Sequence, residues 1–406
     1  MRIYCSFFLA LLITFFAACS KTNTPSSGAP ETIRTPATGD VAGPRFSQGP
    51  DETLVLSWME RGESETTLKF SALVDGEFKE TSDVVSESRM FVNWADLPAV
   101  TPIGSDHLVA HWLRYSADKT YSYDVVVSQS FDGGATWGEA RVAHTDGTPT
   151  EHGFVSVAPD ADGASLLWLD GRFTPDKSMT LRAAVLGPDG ELTREQEVDN
   201  AVCDCCQTDM AIAADGAIAA YRDRSADEVR DIYISRNIDG RWSPGKRLYA
   251  DDWYIPGCPV NGPSITANGD RVAVAWFSAA SDRPVVRVIR SADSGSTFDS
   301  PIEVASGGVN GYVGLAEMEE GRLAVSWIAK GDSGVNVLRV RTISGEGEAG
   351  PILDVATIRQ LRVFPQLAFK DDHLWFAWTD DAADQRNLLV ARVPASALHI
   401  STRYRH

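Results

Sequence analysis

The chain has 406 residues, of which 37 are Lys or Arg and 56 are Asp or Glu, so its formal net charge is −19 at pH 7. This acidic balance excludes a nucleic acid or an anionic surface as a general partner, because like charges repel. Hydrophobic residues make up 43% of the chain, which is enough for a folded domain.

The first 19 residues have the pattern of an export signal. Met1-Arg2 precedes an apolar run from Phe7 to Phe16, which is too short to span a bilayer, and Ala17-Ala18-Cys19 follows. This ending resembles the bacterial lipobox, in which the cysteine is lipidated and becomes the first residue of the mature protein. The resemblance predicts a lipid anchor on Cys19 as the sole membrane attachment, in the bacterial cell envelope. Ser20 favours the outer membrane, and an ordinary secretion signal is the alternative.

Residues 20–43 are rich in Pro, Ser, Thr and Gly and are predicted to be a flexible tether. Residues 44–406 are then predicted to form a single domain. Two short segments are equally simple candidates for closing that domain on itself. One is Glu31–Thr35 and the other is His399–Thr402.

An alternating apolar run that ends on a large aromatic recurs along this domain about every 51–56 residues, close to the period of a four-stranded propeller blade. The seven aromatics are Trp58, Trp112, Trp168, Tyr221, Trp276, Trp327 and Trp378. Period-two runs broken by Gly, Asn and Asp predict four short strands in each unit, and such sheets bury both faces only when they are arranged radially. We therefore predict an all-β propeller of four-stranded antiparallel blades, with seven blades favoured and six as the alternative.

Two turns carry the same motif. Ser130–Trp137 and Ser291–Phe298 both fit Ser-x-Asp-x-Gly-x-Thr-aromatic, and Ser235–Trp242 is a degenerate copy. The motif is similar to the Asp box, or BNR repeat, of sialidases and related propellers. This resemblance implies the fold more strongly than the activity, because such repeats also occur in glycan binders and in non-enzymatic assembly factors.

The geometry of a blade brings the segments before each first strand and after each second strand to one face, and the two Asp-box turns to the other. The first face collects polar side chains, and one interpretation of them is a pocket for an anionic ligand, since Arg binds carboxylates through paired hydrogen bonds. Alternatively, Arg–Asp pairs tie neighbouring blades together. The candidate ligand-binding residues are Arg45, Asn93, Arg114, His152, Arg172, Gln207, Asp209, Arg222, Arg224 and Asn261.

The sialidase resemblance also implies catalytic residues. Enzymes of that family hold a substrate carboxylate with three arginines, use a Tyr–Glu pair as nucleophile and use an Asp as acid/base. By residue type and face, Tyr312, Glu151 and Asp96 match these functions, and Asp223 is a further candidate. The family's Arg-Ile-Pro motif is replaced here by Pro44-Arg45-Phe46, and its members have six blades.

Four cysteines remain after Cys5 and Cys19 in the leader. Cys203, Cys205 and Cys206 lie together, and Cys258 occupies the equivalent place one repeat later. In an oxidising compartment such a set predicts disulfides, with Cys258 bonded to one of the other three. A thiolate metal site that includes His152 is the alternative.

Together these features predict an exported, lipid-anchored, sialidase-like propeller that binds or hydrolyses an acidic glycan or a similar anion, without a cofactor or a metal. Two alternatives remain open. One is a non-enzymatic module whose rim recognises a protein partner in the envelope, and the other is a Cys-dependent metal-binding or redox protein.

Overall fold

The computed structural model describes residues 28–382 and 385–398, which form seven separate antiparallel sheets. The leader, Cys19 and His399–Thr402 therefore lie outside the described residues. Within them the only helical elements are three short 3-10 turns, at Ala280–Asp282, Glu319–Gly321 and Ala395–Leu398. No helix of this part of the chain is long and apolar enough to span a bilayer.

The strands follow one another blade by blade. The first strand, β1 (Glu31–Ile33), precedes blade 1 and pairs with the last strand of the chain, in blade 7. Blade 1 contains β2 (Asp40–Gln48), β3 (Leu54–Arg61), β4 (Thr66–Val74) and a divided outer edge, β5 (Glu77–Phe78) and β6 (Ser82–Glu87); blade 2 contains β7 (Ala99–Pro102), β8 (Leu108–Tyr115), β9 (Tyr123–Ser130) and β10 (Arg141–Val142); blade 3 contains β11 (His152–Asp160), β12 (Gly163–Asp170), β13 (Met179–Leu186) and β14 (Leu192–Val202).

The remaining four blades repeat this order. Blade 4 contains β15 (Asp209–Ala213), β16 (Gly216–Arg222), β17 (Ile232–Ile238), β18 (Arg241–Trp242) and β19 (Lys246–Arg247); blade 5 contains β20 (Ser264–Asn268), β21 (Arg271–Ser278), β22 (Val285–Ser291) and β23 (Ile302–Ser306). Blade 6 contains β24 (Val309–Glu317), β25 (Leu323–Lys330), β26 (Asn336–Ile343) and β27 (Ala349–Ile358); blade 7 contains β28 (Gln366–Lys370), β29 (His373–Ala382) and β30 (Gln385–Pro394). The predicted seven-bladed propeller is confirmed.

Blade 7 takes its fourth strand from the N-terminal side of the chain. β1 runs antiparallel to β30, with Glu31, Thr32 and Ile33 opposite Arg392, Ala391 and Val390. This pairing selects the first of the two predicted ways to close the ring. It also shortens the predicted tether, because β1 begins at Glu31 and β2 begins at Asp40, before the expected domain boundary at residue 44.

The core is divided into seven apolar clusters, one between each pair of neighbouring blades. Each of the seven repeated aromatics belongs to the cluster between its own blade and the preceding one. Six of them are at most 1% exposed, and Trp378 is 5% exposed. Burying a large ring at every interface explains why the aromatic is the most regular feature of the repeat.

The propeller has two distinct faces. First strands of neighbouring blades contact one another around the axis. We call the side that carries the blade-to-blade connections the crossover face, and the side that carries the turns between first and second strands the hairpin face. The two turns with the Ser-x-Asp-x-Gly-x-Thr-aromatic motif lie at the hairpin face, where Gly133 N donates to Asp106 O and Ser294 N donates to Asp270 O.

These two turns have the same hydrogen bonds. In the first, Asp132 accepts bonds from the backbone and hydroxyl of Thr136 at 2.9 and 2.6 Å, which lowers the pKa of Asp132 to about 2. In the second, Asp293 accepts the equivalent bonds from Thr297 at 2.8 and 2.6 Å. The degenerate copy differs, because Asp239 and Gly240 both have positive φ and form a tight two-residue hairpin.

Candidate functional site

A cavity of about 980 Å³ runs along the axis between the seven first strands. Its wall includes turns of the hairpin face, such as Gly49–Glu52 and Lys370–Asp372, so the cavity opens on that side. At its inner end Arg45 lies near Asp96 and Asp209, and Arg45 Nη1 donates to Val155 O at 2.9 Å. The structure therefore brings three of the predicted residues together inside the channel rather than at its crossover mouth.

Three aromatic side chains meet where the channel approaches the crossover face. Trp94 lies 5.6 Å from Phe364 in a stacked arrangement and 6.4 Å from Tyr312, measured between ring centroids. Tyr312 and Phe364 are 4.9 Å apart and nearly perpendicular. These residues precede or begin blades 2, 6 and 7, and all three rings are partly exposed. Because blades 2 and 6 are not neighbours, the cluster must lie close to the axis.

Gln207 adds a polar bridge to this end of the axis. Its Nε2 donates to Ala95 O at 2.9 Å, and its Oε1 accepts from Gly262 N at 3.2 Å. The side chain thereby joins segments that precede blades 2, 4 and 5. Both polar atoms of Gln207, a predicted ligand-binding residue, are therefore bonded to backbone groups.

Asp96 and Asn261 form the same connection at two places in the ring. Asp96 Oδ1 accepts from Phe154 N, and Asn261 Oδ1 accepts from Tyr312 N, both at 2.7 Å. Phe154 and Tyr312 have φ angles of 54° and 56°. In this conformation the backbone N–H of each points at a side chain from the segment before the preceding blade. The Asn261 oxygen is therefore already bonded within the fold.

Asp96 also belongs to a hydrogen-bonded group that the sequence did not reveal. Tyr123 Oη donates to Glu151 Oε1 at 2.6 Å and lies 3.2 Å from Asp96 Oδ2. Tyr123 is 1% exposed and stacks on Phe91 at 4.0 Å, so its position is fixed by packing. Tyr123 thus occupies the place beside Glu151 that we assigned to Tyr312, whose ring belongs to the aromatic cluster instead.

Both carboxyl groups of this set have strongly raised pKa values. The pKa of Asp96 is raised to about 7, mainly by burial and to a smaller extent by the neighbouring Glu151 charge, while hydrogen bonds from Phe154 and Tyr123 oppose the increase. Burial also raises the pKa of Glu151 to about 7, with a contribution from the charge of Asp204. Glu151 is partly exposed, whereas Asp96 is buried, so Glu151 is the member that a ligand can reach. Carboxyl groups that remain protonated near neutral pH are typical of general acids.

Asp204 supplies a second carboxylate close to Glu151. It accepts from Arg224 Nη1 at 2.8 Å and from Met179 N at 3.3 Å, and its side chain is 35% exposed. Arg224 also bonds to Glu228, at 2.6 Å from Nη2. The sequence singled out Arg224 but not Asp204, because an aspartate between two cysteines has no distinguishing pattern.

Most of the predicted arginines have structural partners. Arg222 is 2% exposed, and its three nitrogens donate to Asn261 O, Arg230 O and Phe277 O at 2.9, 2.6 and 2.8 Å. This geometry favours the alternative in which Arg222 ties neighbouring blades together over the prediction that it binds a ligand. Arg172 forms two 2.7 Å bonds with Asp170, and Arg114 forms a two-pronged pair with Glu87.

Three further candidates, Asn93, His152 and Asp223, have surroundings other than the Glu151 side chain. Asn93 Oδ1 accepts from Ala95 N at 2.8 Å and closes a local turn. His152 is fully buried and stacks on His144 at 3.7 Å, with Asp146 and Asp170 near its Nε2. Burial and the charges of Asp199 and Asp231 raise the pKa of Asp223 to about 7.

Cys205 and Cys258 form a disulfide between the segments that precede blades 4 and 5. This bond confirms the predicted link between Cys258 and the cysteine cluster. Cys203 and Cys206 are buried free thiols. Since Cys205 is consumed by the disulfide, the three clustered cysteines do not all remain available for the alternative metal site.

Comparison with known proteins identifies the fold. No protein-family model and no curated protein matches the chain. Its structure is similar to that of a Hadza microbial sialidase, with a TM-score of 0.50 and 13% identity over 83% of this chain and 75% of that one. It is also similar to a GH93 α-L-arabinofuranosidase of Fusarium graminearum in complex with arabinobiose, with a TM-score of 0.49 and 13% identity over 91% and 98% of the two chains. The likeness to the sialidase structure supports a sialidase-like propeller fold.

Proposed function

We propose that the protein binds and hydrolyses a glycan at its crossover face, with Glu151 as the general acid. The observation that carries this proposal is the hydrogen-bonded group of Asp96, Tyr123 and Glu151, in which the pKa of both carboxyls is raised to about 7. Cleavage of a glycosidic bond to a sugar or another poor leaving group requires a proton on the leaving oxygen, and a partly exposed protonated carboxyl supplies it.

The surroundings of Glu151 support the remaining requirements of this chemistry. Asp204 offers a second carboxylate that can activate water or stabilise positive charge on the sugar ring. Trp94, Tyr312 and Phe364 present partly exposed rings at the same face. Aromatic rings combine apolar area with low conformational entropy, which suits them to pack against the apolar face of a sugar.

Two considerations define the sugars to be tested. The pattern of arginines in the sequence favours an acidic glycan, whereas Arg222, Arg172 and Arg114 are bonded to backbone or carboxylates within the fold. One of the two similar structures is named a sialidase and the other an α-L-arabinofuranosidase. Sialosides and α-L-arabinofuranosides are therefore the acidic and neutral arms of the test.

We also propose that the protein reaches the cell envelope through its leader and is anchored by a lipid on Cys19, as the lipobox resemblance predicts. The expected result is partition of the wild-type protein into the detergent phase. Cys19→Ser is expected to give a soluble or unprocessed product. Aqueous partition of the wild type would rule out the anchor and leave the glycan proposal intact.

The activity is tested with glycosides of both sugar classes that carry a poor leaving group, whose departure requires a general acid. Glu151→Gln is expected to lower kcat by about 10²- to 10⁴-fold, the usual contribution of a general acid, while glycan binding persists. Glu303→Gln is the matched control, because Glu303 pairs with Arg283 on an outer strand away from the axis. A wild-type protein that neither cleaves nor binds any of these sugars would refute the proposal.

A further inference from the structure

Two buried thiols face each other in the segment that connects blades 3 and 4. The sulfurs of Cys203 and Cys206 are 2.8 Å apart, and these residues are 1% and 2% exposed. A disulfide bond is about 2.05 Å long, so a displacement of less than about 1 Å brings the two sulfurs to bonding distance. Their spacing is Cys-x-x-Cys, with Asp204 and Cys205 between them.

The two thiols are chemically unequal. Arg230 Nη1 donates to Cys203 Sγ at 3.3 Å, and the Cys206 thiol and Arg222 also favour the charged form of Cys203. The pKa of Cys203 is lowered to about 6, with the bond from Cys206 as the largest cause, while burial raises the pKa of Cys206. A thiolate is the nucleophile in disulfide chemistry, so Cys203 is the attacking group and Cys206 is the second thiol.

The third nearby cysteine does not compete with Cys206 for this pairing. Cys205 Sγ lies 3.9 Å from Cys203 Sγ and is already bonded to Cys258. Cys206 is both closer and free. The inter-blade disulfide and the thiol pair are therefore separate sulfur groups within one short segment.

We propose that Cys203 and Cys206 are a redox-active dithiol whose oxidised form is a second disulfide, closed around Asp204. The oxidant is a low-molecular-weight disulfide. The Cys203 thiolate attacks one of its sulfurs, a mixed disulfide forms and one small thiolate leaves. Cys206 then loses its proton and attacks Cys203 Sγ, which releases the second small thiolate. Two protein thiols are oxidised, and the small disulfide is reduced to two thiols.

Oxidation removes a negative charge from a chain of polar contacts. Arg230 donates to Cys203 and, at 2.7 Å from Nη2, to Glu228. Glu228 also bonds to Arg224, which in turn bonds to Asp204. The redox state of the thiol pair is thus coupled to the position of Asp204, both through these contacts and through the covalent loop that the disulfide closes. Its effect on catalysis rests on the proposed function, but the existence of the redox pair does not.

The test is a redox titration of the full chain in glutathione buffers that range from fully reduced to fully oxidised. Samples are quenched in acid, alkylated with N-ethylmaleimide under denaturing conditions and mapped by mass spectrometry. We expect a Cys203–Cys206 disulfide that is absent in reduced glutathione and predominant in oxidised glutathione, with Cys205–Cys258 still intact. In Cys206→Ser, Cys203 is expected to accumulate bound glutathione, whereas in Cys203→Ser the Cys206 thiol stays unmodified.

Three results would overturn this inference. The first is that both residues remain thiols in oxidised glutathione. The second is a Cys203–Cys206 bond that persists at every ratio of the titration, because such a bond is structural rather than redox-active. The third is oxidation of Cys203 onto Cys205 instead of Cys206. None of these readouts depends on glycosidase activity, and the wild-type titration requires no variant to fold.

Discussion

Removing the guanidinium of Arg222 is expected to lower the stability of the propeller and to leave ligand binding unchanged. The group is buried at 2% exposure and donates to three backbone carbonyls around the connection between blades 4 and 5, with Trp253 beneath it at 4.8 Å. Arg222→Ala leaves these carbonyls without donors and creates a cavity. An unsatisfied buried polar group costs about 1–3 kcal/mol, so after partial relaxation we expect a loss of about 3–5 kcal/mol in the free energy of unfolding.

This loss corresponds to a measurable change in melting temperature. With an unfolding entropy of about 2.1 cal/mol/K per residue, a folded domain of roughly 370 residues should show a decrease of about 4–6 °C, observable by calorimetry. Arg224→Ala is the matched control, because its partly exposed pairs with Asp204 and Glu228 are worth less in water, and a decrease below about 2 °C is expected. An unchanged melting temperature in Arg222→Ala would show that its three bonds do not support the fold.

Three further changes test separate parts of the structure. Gly153→Ala places a Cβ 1.9 Å from Asp96 Oδ2 and should lower the free energy of unfolding by about 1–3 kcal/mol in a denaturant titration. Gly257→Ala is the control, because its Cβ has no atom within 4 Å and should change the stability little. Equal effects of the two changes would contradict the close packing at Gly153. Asp96→Asn tests the buried carboxyl, whose pKa in the folded state is raised from 3.8 to about 7. The stability that this group contributes to the wild type is therefore full below about pH 4 and is lost as the pH rises through 7. The variant should be more stable than the wild type by about 1–3 kcal/mol at pH 8 and unchanged at pH 4, and a variant less stable than the wild type at pH 8 would exclude the raised pKa. Cys258→Ser should lower the stability by about 2–4 kcal/mol in unfolding measurements made without reductant, and an unaffected protein would show that the link to Cys205 is not formed.

The fold could be predicted because one physical requirement is repeated seven times. Every blade interface buries a large aromatic, and this residue recurs in each repeat although the sequences of the surrounding strands differ. Ring closure could not be decided, since Glu31–Thr35 and His399–Thr402 are both short and weakly patterned. The choice between them depends on which segment reaches β30, and Glu31–Ile33 is the one that pairs there.

The site could be predicted only by face and residue type. Asp96 and Glu151 were recognised as polar residues before first strands, and the structure joins them through one phenol. Tyr123 was missed because it begins an apolar strand, and its bond to Glu151 crosses from blade 2 to the segment before blade 3. Arg222 shows the converse limit, because an arginine bonded to carbonyls has the same sequence pattern as one that binds a ligand.

The proton-donating function of Glu151 is tested most directly by comparing substrates that differ only in their leaving group. A leaving group of low pKa departs without protonation, whereas one of high pKa requires the general acid. For the sugar that the wild-type protein cleaves, we predict that Glu151→Gln retains most of its kcat/KM on the glycoside with the good leaving group. On the glycoside with the poor leaving group it should lose about 10²-fold or more, and wild-type activity on that substrate should fall above about pH 7, where Glu151 deprotonates. An equal loss on both substrates, or no loss on either, would contradict the assignment of Glu151 as the acid.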